Sequence, residues 1–320
     1  MISNMKNTKL QLIKEYINLK IMLTSIGFML GIIILNVIVN PRTLMYIDSI
    51  TLLAVPLAFL GLAELIVLVT GEVDMSVGAG LTLANVVSVY AYLYHGIGDY
   101  RFILLHLIIG LAVGIVNGII VGLLRVNSFL GTLATSSIWS GLALVILNKP
   151  EGPIPNWYYR LFMDGLWGIP MVIIGLLASL LIWLYFRFNK ISLHFYASGS
   201  NPYSAFIAGI NVNLIKFIAF TLNGLFVGLA ALFMTGIIAS GDPKIGIPYT
   251  LTAILAAIIG GARFTGGVGD GVATICAAIG LTFMRNLIFS LGVPFYQQDL
   301  VYSAVVLGLL AVVMYLRGGR

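Results

Sequence analysis

The chain has 320 residues, 60% of them hydrophobic and only 9% charged, with a mean hydropathy of +1.07. That much apolar surface exceeds what one soluble core buries, so the composition is that of an integral membrane protein. A net charge of +6 without any run of Lys and Arg interleaved with aromatics excludes a nucleic-acid surface, and the single cysteine, Cys276, excludes internal disulfides and a cluster of thiolate metal ligands.

Residues 1–20 form a tail carrying Lys6, Lys9, Lys14 and Lys20. Leu10, Ile13, Tyr16 and Ile17 share one helical face there, which fits either a helix lying on the membrane or a plain solvated tail. The apolar run that follows is too long for a signal-peptide core and ends in Asn40-Pro41-Arg42 with no small-residue cleavage site, so it reads as a first span. A crossing helix needs about 20 mostly apolar residues. Candidates fall at 21–39, 50–69, 75–94, 102–124, 129–147, 168–186, 215–238, 249–260, 271–290 and 299–316. The predicted fold is therefore all-α and polytopic, one membrane domain over 21–320 with about ten transmembrane or re-entrant helices. Segments 249–260, which is short, and 271–290, interrupted by Arg285-Asn286, read as two spans or as a re-entrant pair. With both termini in the cytoplasm, eleven of the 17 basic residues fall inside and five outside, with Arg285 within a segment, as the positive-inside rule requires.

Segment 102–124 stacks Gly110, Gly114, Gly118 and Gly122 on one helix face, a small-xxx-small seam that predicts close packing on another helix. Segment 129–147 begins with Thr132, Thr135, Ser136, Ser137 and Ser140, hydroxyls that fit interhelical bonding or the lining of a path for a hydroxylated solute.

The stretch Gly71-Glu72-Val73-Asp74-Met75-Ser76-Val77-Gly78 sets two carboxylates and two glycines between apolar runs. A second glycine break follows the run ending at Ile259, with Gly260, Gly261, Gly266, Gly267, Gly269 and then Asp270. In both, an Asp precedes the next run, where its carboxylate is placed to accept the free N–H groups of a first helical turn. Paired glycine-interrupted segments point to an internal repeat, here about 50–147 and 215–316, with a transport path between the halves. Glu64, Glu72, Asp74, Ser76, Thr132, Thr135 and Ser136 are the candidate path residues, since ionisable and polar groups at membrane depth are costly.

No catalytic or metal site emerges. No glycine stretch precedes Lys-Ser or Lys-Thr, so there is no P-loop, and His95, His106 and His194 are isolated without H-E-x-x-H or G-x-S-x-G patterns.

Four blocks in order carry a resemblance over roughly 50–316: Gly71 to Gly78; Asn127-Ser128-Phe129-Leu130-Gly131-Thr132-Leu133-Ala134; Tyr196 to Val212; and Gly260 to Gly269. The chain resembles the permease subunits of bacterial ATP-binding-cassette importers for sugars, the group containing the ribose, galactose and xylose permeases. It departs from their pattern at Glu72, where a second Gly is usual, at Glu64, where Met is common, and at Asn127, where Pro is usual. The joint at 187–216 is the longest between spans, basic at both ends, with a helix-compatible stretch from Tyr203 to Ala208 between turn residues. The resemblance implies that Ser200, Asn201, Pro202, Tyr203, Ala205, Phe206, Ala208, Gly209 and Ile210 form a coupling helix docking on an ATPase subunit. It further implies a bacterial inner-membrane location, a second permease chain, identical or related, and a soluble binding protein delivering a monosaccharide or similar solute. ATP and Mg belong to the partner subunit, none to this chain, which is a transport subunit and no enzyme. The outer loops at 148–167 and 241–248, with Pro150, Pro153, Pro155, Pro243, Trp157, Tyr158, Tyr159 and Tyr249, are expected to meet the binding protein. The competing reading is a secondary transporter driven by an ion gradient through Glu64 or Asp74.

Overall fold

A chain in lipid must satisfy every backbone N–H and C=O within itself, and a sequence this apolar does so by forming helices. The computed structural model describes residues 19–318; the surface-helix reading of the tail up to residue 18 and the position of Arg320 lie outside the described residues. In order, the helices are α1 (Leu19–Val39), a 3-10 turn (Pro41–Tyr46), α2 (Ile47–Leu52), α3 (Ala54–Val69), α4 (Val77–His95) and α5 (Tyr100–Gly118, extended by a π-turn over Ile119–Leu123). They continue as α6 (Ser128–Ile146), α7 (Asn156–Asp164), α8 (Met171–Phe188), α9 (Lys190–Ser200) and α10 (Pro202–Ile207). The last four are α11 (Val212–Ile238), α12 (Tyr249–Ile259), α13 (Gly271–Ser290) and α14 (Phe295–Gly318).

Eight of these described helices are long and apolar enough to span, or nine if the bent pair of Pro41–Leu52 with Ala54–Val69 is one span. The predicted span 50–69 is thus not one straight helix: it bends by 46° at Leu53. Pro56 is the cause, since it has no N–H to offer the Leu52 carbonyl one turn back. Segment 271–290 is a full-length helix, whereas α12 has 11 residues and rises only about 16 Å, too short to cross alone.

α3 is apolar apart from Glu64, and every one of its residues is buried, as expected of a helix that faces protein all round. α8, α11, α12 and α13 pack around it. α1 and α14 stand outermost and present exposed Leu23, Ile34, Ile38, Leu300 and Leu307. α1 is fastened to α13 by polar groups, with Asn36 Nδ2 donating to the Phe283 carbonyl at 2.8 Å. The glycine seam of α5 meets α11: a Cβ added to Gly114 would lie 2.3 Å from the Phe220 carbonyl oxygen, and one on Gly110 2.5 Å from that of Gly224. These glycines pack helix on helix, as the small-xxx-small seam predicts.

The two expected outer loops differ from simple surface loops. In 148–167, α7 buries Tyr158 and Phe162 against Phe102 and Phe233, leaving Trp157 and Tyr159 exposed. Segment 241–248 folds back into the bundle along α4: the Asp242 N–H donates to Asn85 Oδ1 at 2.8 Å, and the Gly246 N–H to Thr82 Oγ1 at 3.0 Å. Pro243 is buried and Tyr249 belongs to α12, because these side-chain acceptors on α4 supply the partners that water would give a surface loop.

The seam makes a direct prediction. Gly114→Ala overpacks the α5–α11 contact and lowers stability by about 1–3 kcal/mol, whereas Gly141→Ala, with nothing within 4 Å of its added Cβ, changes little; thermal unfolding of the detergent-solubilised chain measures both.

Candidate functional site at the two helix breaks

The two breaks begin with the same turn. The Gly71 N–H donates to the Leu68 carbonyl at 2.9 Å and the Glu72 N–H to Val67 at 3.3 Å; the Gly261 N–H donates to Ile258 at 2.9 Å and the Ala262 N–H to Ala257 at 3.0 Å. This is the Schellman cap, which needs a left-handed residue after the helix. Gly71 has φ +82° and Gly261 φ +97°, values at which any side chain is strained. Past the turn the breaks differ, the second being longer.

Both breaks converge on the end of α9. The Gly267 N–H donates to the Val69 carbonyl at 2.9 Å, joining the second break to the end of α3. Gly199, in the last turn of α9, lies against the same carbonyl: an added Cβ would fall 1.9 Å from Val69 O and 2.7 Å from Gly267 N. A Cβ on Gly266 would lie 2.8 Å from Gly71 N and 2.9 Å from Gly199 Cα. Three backbones therefore meet where only hydrogen fits.

Two ion pairs complete the junction. Lys216 Nζ, on the first turns of α11, pairs with Glu72 Oε1. Arg187 Nη1, at the end of α8, donates to Asp270 Oδ2 at 2.6 Å. All four side chains are mostly buried. The basic residues bounding the 187–216 joint are thus each held by an acid of one break. That joint is no loop: α9 and α10 fill it. Asn201 caps α10, its Oδ1 accepting from the Ser204 N–H at 2.9 Å, and Pro202 takes the first helical position. α10 covers Pro202–Ile207 instead of Tyr203 to Ala208; Ala208 follows as the C-cap, and Gly209 and Ile210 close the turn. Ala205 is buried, while Tyr203, Phe206 and Ile207 are 75%, 70% and 69% exposed.

Asp270 caps α13 as expected, accepting from the Ala273 N–H at 3.1 Å. Asp74 does not cap α4; the N-cap there is Ser76. The Asp74 carboxylate instead accepts from the Ser76 N–H at 2.8 Å, from the Ser76 hydroxyl at 2.7 Å and from Asn117 Nδ2 at 3.2 Å. The first break is short, so Asp74 reaches Ser76 and α5 before the α4 turn begins. Thr135 Oγ1 donates to Asn117 Oδ1 at 2.8 Å, and the Met75 N–H to Thr132 Oγ1 at 2.9 Å. Asp74, Ser76, Thr132 and Thr135 thus form one buried network binding the first break to α5 and α6.

Other candidates stand apart from this network. Glu64 is buried in the middle of α3, close to the Asp74 backbone N–H but with no hydrogen bond of normal geometry to either carboxylate oxygen. Ser136 is half-buried on α6, and Gly78 packs on the 241–248 segment, an added Cβ falling 2.3 Å from Gly246 O. Sequence reasoning missed Asn117, Arg187 and Lys216. Asn117 had a usable signal, an amide in an apolar span one residue before Gly118; the two cations lacked one, their partners being distant in sequence. Among the described residues, no three His, Cys, Asp or Glu side chains come together to hold a metal.

Residues 46–315 match the family model described as the branched-chain amino acid transport system permease component. The ribose import permease protein of Bacillus subtilis (strain 168) is 32% identical over 313 residues, covering 95% of this chain and 97% of that protein. The ribose import permease protein of Escherichia coli (strain K12) is 31% identical over 78% of this chain and 79% of its own length. The galactose/methyl galactoside import permease protein of the same strain is 27% identical over 78% and 79%, respectively. No solved structure matches the chain significantly.

A double-mutant cycle on Glu72→Gln and Lys216→Gln tests the junction. Thermal unfolding is expected to give a coupling of about 0.5–3 kcal/mol for this enclosed pair and none for the exposed Asp99–Arg101 pair.

Proposed function

The chain belongs to the family of transport-system permease components, the membrane-spanning subunits of ATP-driven ABC importers, and on that premise we propose that its solute is a monosaccharide or a related small polar molecule. α9 and α10 carry the movement of a separate ATPase subunit, which uses ATP and Mg, to both helix breaks at once. A second permease chain completes the path, and a soluble binding protein brings the solute to the opposite face of the bacterial inner membrane. The breaks and α10 face the cytoplasm in this reading, as do both termini.

The observation that carries it is the junction of α9 with the two breaks. α10 presents an exposed aromatic knob, and the helix before it is wedged between the breaks at Gly199 while Arg187 and Lys216 hold the ends of the joint. A push on the knob has no slack backbone to absorb it. For the solute, the names of the relatives favour sugars, ribose in two and galactose in a third. The added acids do not argue otherwise: Glu72 is neutralised by Lys216, and Glu64 is enclosed within α3.

Reconstitution in liposomes is the test. Uptake is expected only with the ATPase subunit present, and to be sensitive to vanadate; uptake by this chain alone that collapses with the proton gradient would establish the secondary transporter instead. Tyr203→Asp with Phe206→Asp, on the exposed knob, is expected to leave expression intact and abolish solute transport per ATP hydrolysed. Unchanged coupling in that variant removes α10 from the mechanism.

A further inference from the structure

Residues 240–248 are non-helical chain lying along α4, a helix long and apolar enough to span. Backbone of that kind is tolerated at membrane depth only where protein or a water-filled cavity satisfies it. Asn85, near the middle of α4, does much of this. Its side chain is buried, and both of its N–H donors are used: Nδ2 donates to the Ser240 carbonyl at 3.0 Å and to Thr235 Oγ1 at 2.7 Å, while Oδ1 accepts from the Asp242 N–H at 2.8 Å. A carbonyl and an N–H flanking one residue are the groups that a neighbouring β-strand would pair, and the amide of Asn85 stands in for that strand. The opposite edge is paired by true backbone. The Glu151 N–H donates to the Gly241 carbonyl at 2.9 Å, and the Gly241 N–H to the Glu151 carbonyl at 2.8 Å. Residues 240–242 are thus held between α4 and the loop that follows α6. A Cβ added to Gly241 would lie 2.9 Å from Leu147 Cδ1 and 3.0 Å from Val89 Cβ, so the segment is closely packed as well as bonded.

Asn85 is itself aimed by buried groups. The Phe102 carbonyl can only accept, so His106 Nδ1, 2.8 Å away, carries a hydrogen, and in the neutral ring Nε2 is left as an acceptor 2.9 Å from Thr235 Oγ1. The Thr235 hydroxyl hydrogen has Nε2 or the Ala231 carbonyl, at 2.8 Å, as its partner, and the oxygen accepts from Asn85. Beyond this clamp the chain passes Gly246, whose N–H donates to Thr82 Oγ1 at 3.0 Å, and enters α12, which has no glycine or proline and leads straight into the second break. The bond from the Gly267 N–H to the Val69 carbonyl joins that break to α3.

We propose that Asn85 is a positioning residue for transport: it fixes the far end of a continuous arm, residues 240–259, through which movement of the second break reaches the loop at 148–155. The proposal rests on the preceding reading for the source of that movement; the hold on residues 240–242 does not.

Asn85→Leu removes all three bonds, and Thr235→Val with Thr235→Ser forms a milder pair in which only the first loses the hydroxyl. Hydrogen exchange of the full wild-type chain in detergent is expected to be slow over residues 240–248 and about tenfold faster in Asn85→Leu. Exchange there is expected to be faster in Thr235→Val as well, to keep the wild-type rate in Thr235→Ser, and over residues 190–207 to be unchanged in all three. In liposomes with the ATPase subunit and the binding protein, Asn85→Leu and Thr235→Val are expected to lose most of the solute transported per ATP hydrolysed, whereas hydrolysis without the binding protein is unchanged and Thr235→Ser behaves as wild type. A merely weakened fold lowers both activities together. Exchange over 240–248 that is as fast in the wild type as in Asn85→Leu, or transport per ATP that is unchanged although exchange quickens, overturns the proposal. Quickened exchange in a chain whose uptake does not respond to vanadate upholds the clamp and rejects the ATPase reading alone.

Discussion

The carbonyl of Val69 is the point on which the structure turns. It ends the central helix, accepts the Gly267 N–H from the second break at 2.9 Å, and leaves room on its other side only for the hydrogen of Gly199. A backbone acceptor buried at the end of a helix needs a partner, and here that partner comes from the other half of the chain. The need for satisfaction thus ties the two breaks together, and the absence of Cβ atoms lets α9 join them.

Around this point the energetics are arranged to resist sliding. α3 is enclosed on all sides by apolar contacts, and the α5–α11 seam is in van der Waals register at Gly110 and Gly114. The polar groups of the first break are tied off through Asn117 to Thr135 and through Met75 to Thr132. Buried carboxylates of this kind are costly unless fully bonded, which is why Asp74 draws on three donor groups. The longer second break takes its course from Gly266, Gly267 and Gly269, all at positive φ. Motion delivered there reaches α3, α12 and α13 together.

Much of this was legible from residue order. Span positions followed from apolar runs, the seam from glycines four apart, and the breaks from glycine and acid between those runs. The joint was visible as a feature but not as two helices, since α9 mixes Lys, His, Tyr and Ser without a clean apolar stripe. Local pattern gave no access to the pairing of Arg187 with Asp270 or Lys216 with Glu72, because partners so distant in sequence are set only by packing. Glu72 stood out as an acid in a usual glycine position, and its cation, at the far end of the joint, accounts for it. Segment 241–248, with Pro243 and Pro248, reads in the sequence as an outer loop; its bonds to Thr82 and Asn85 depend on α4 lying alongside.

The proposed coupling requires that α9, α10 and the two breaks move as one body during the transport cycle. Spin labels at Tyr203→Cys on α10 and Thr265→Cys in the second break, in a Cys276→Ala chain assembled with its ATPase, measure this by pulsed electron resonance. The Tyr203–Thr265 distance is expected to be the same in the nucleotide-free and vanadate-trapped states, while the distance from Tyr203 to a label at Val145 on α6 changes. A Tyr203–Thr265 distance that shifts between those states contradicts it.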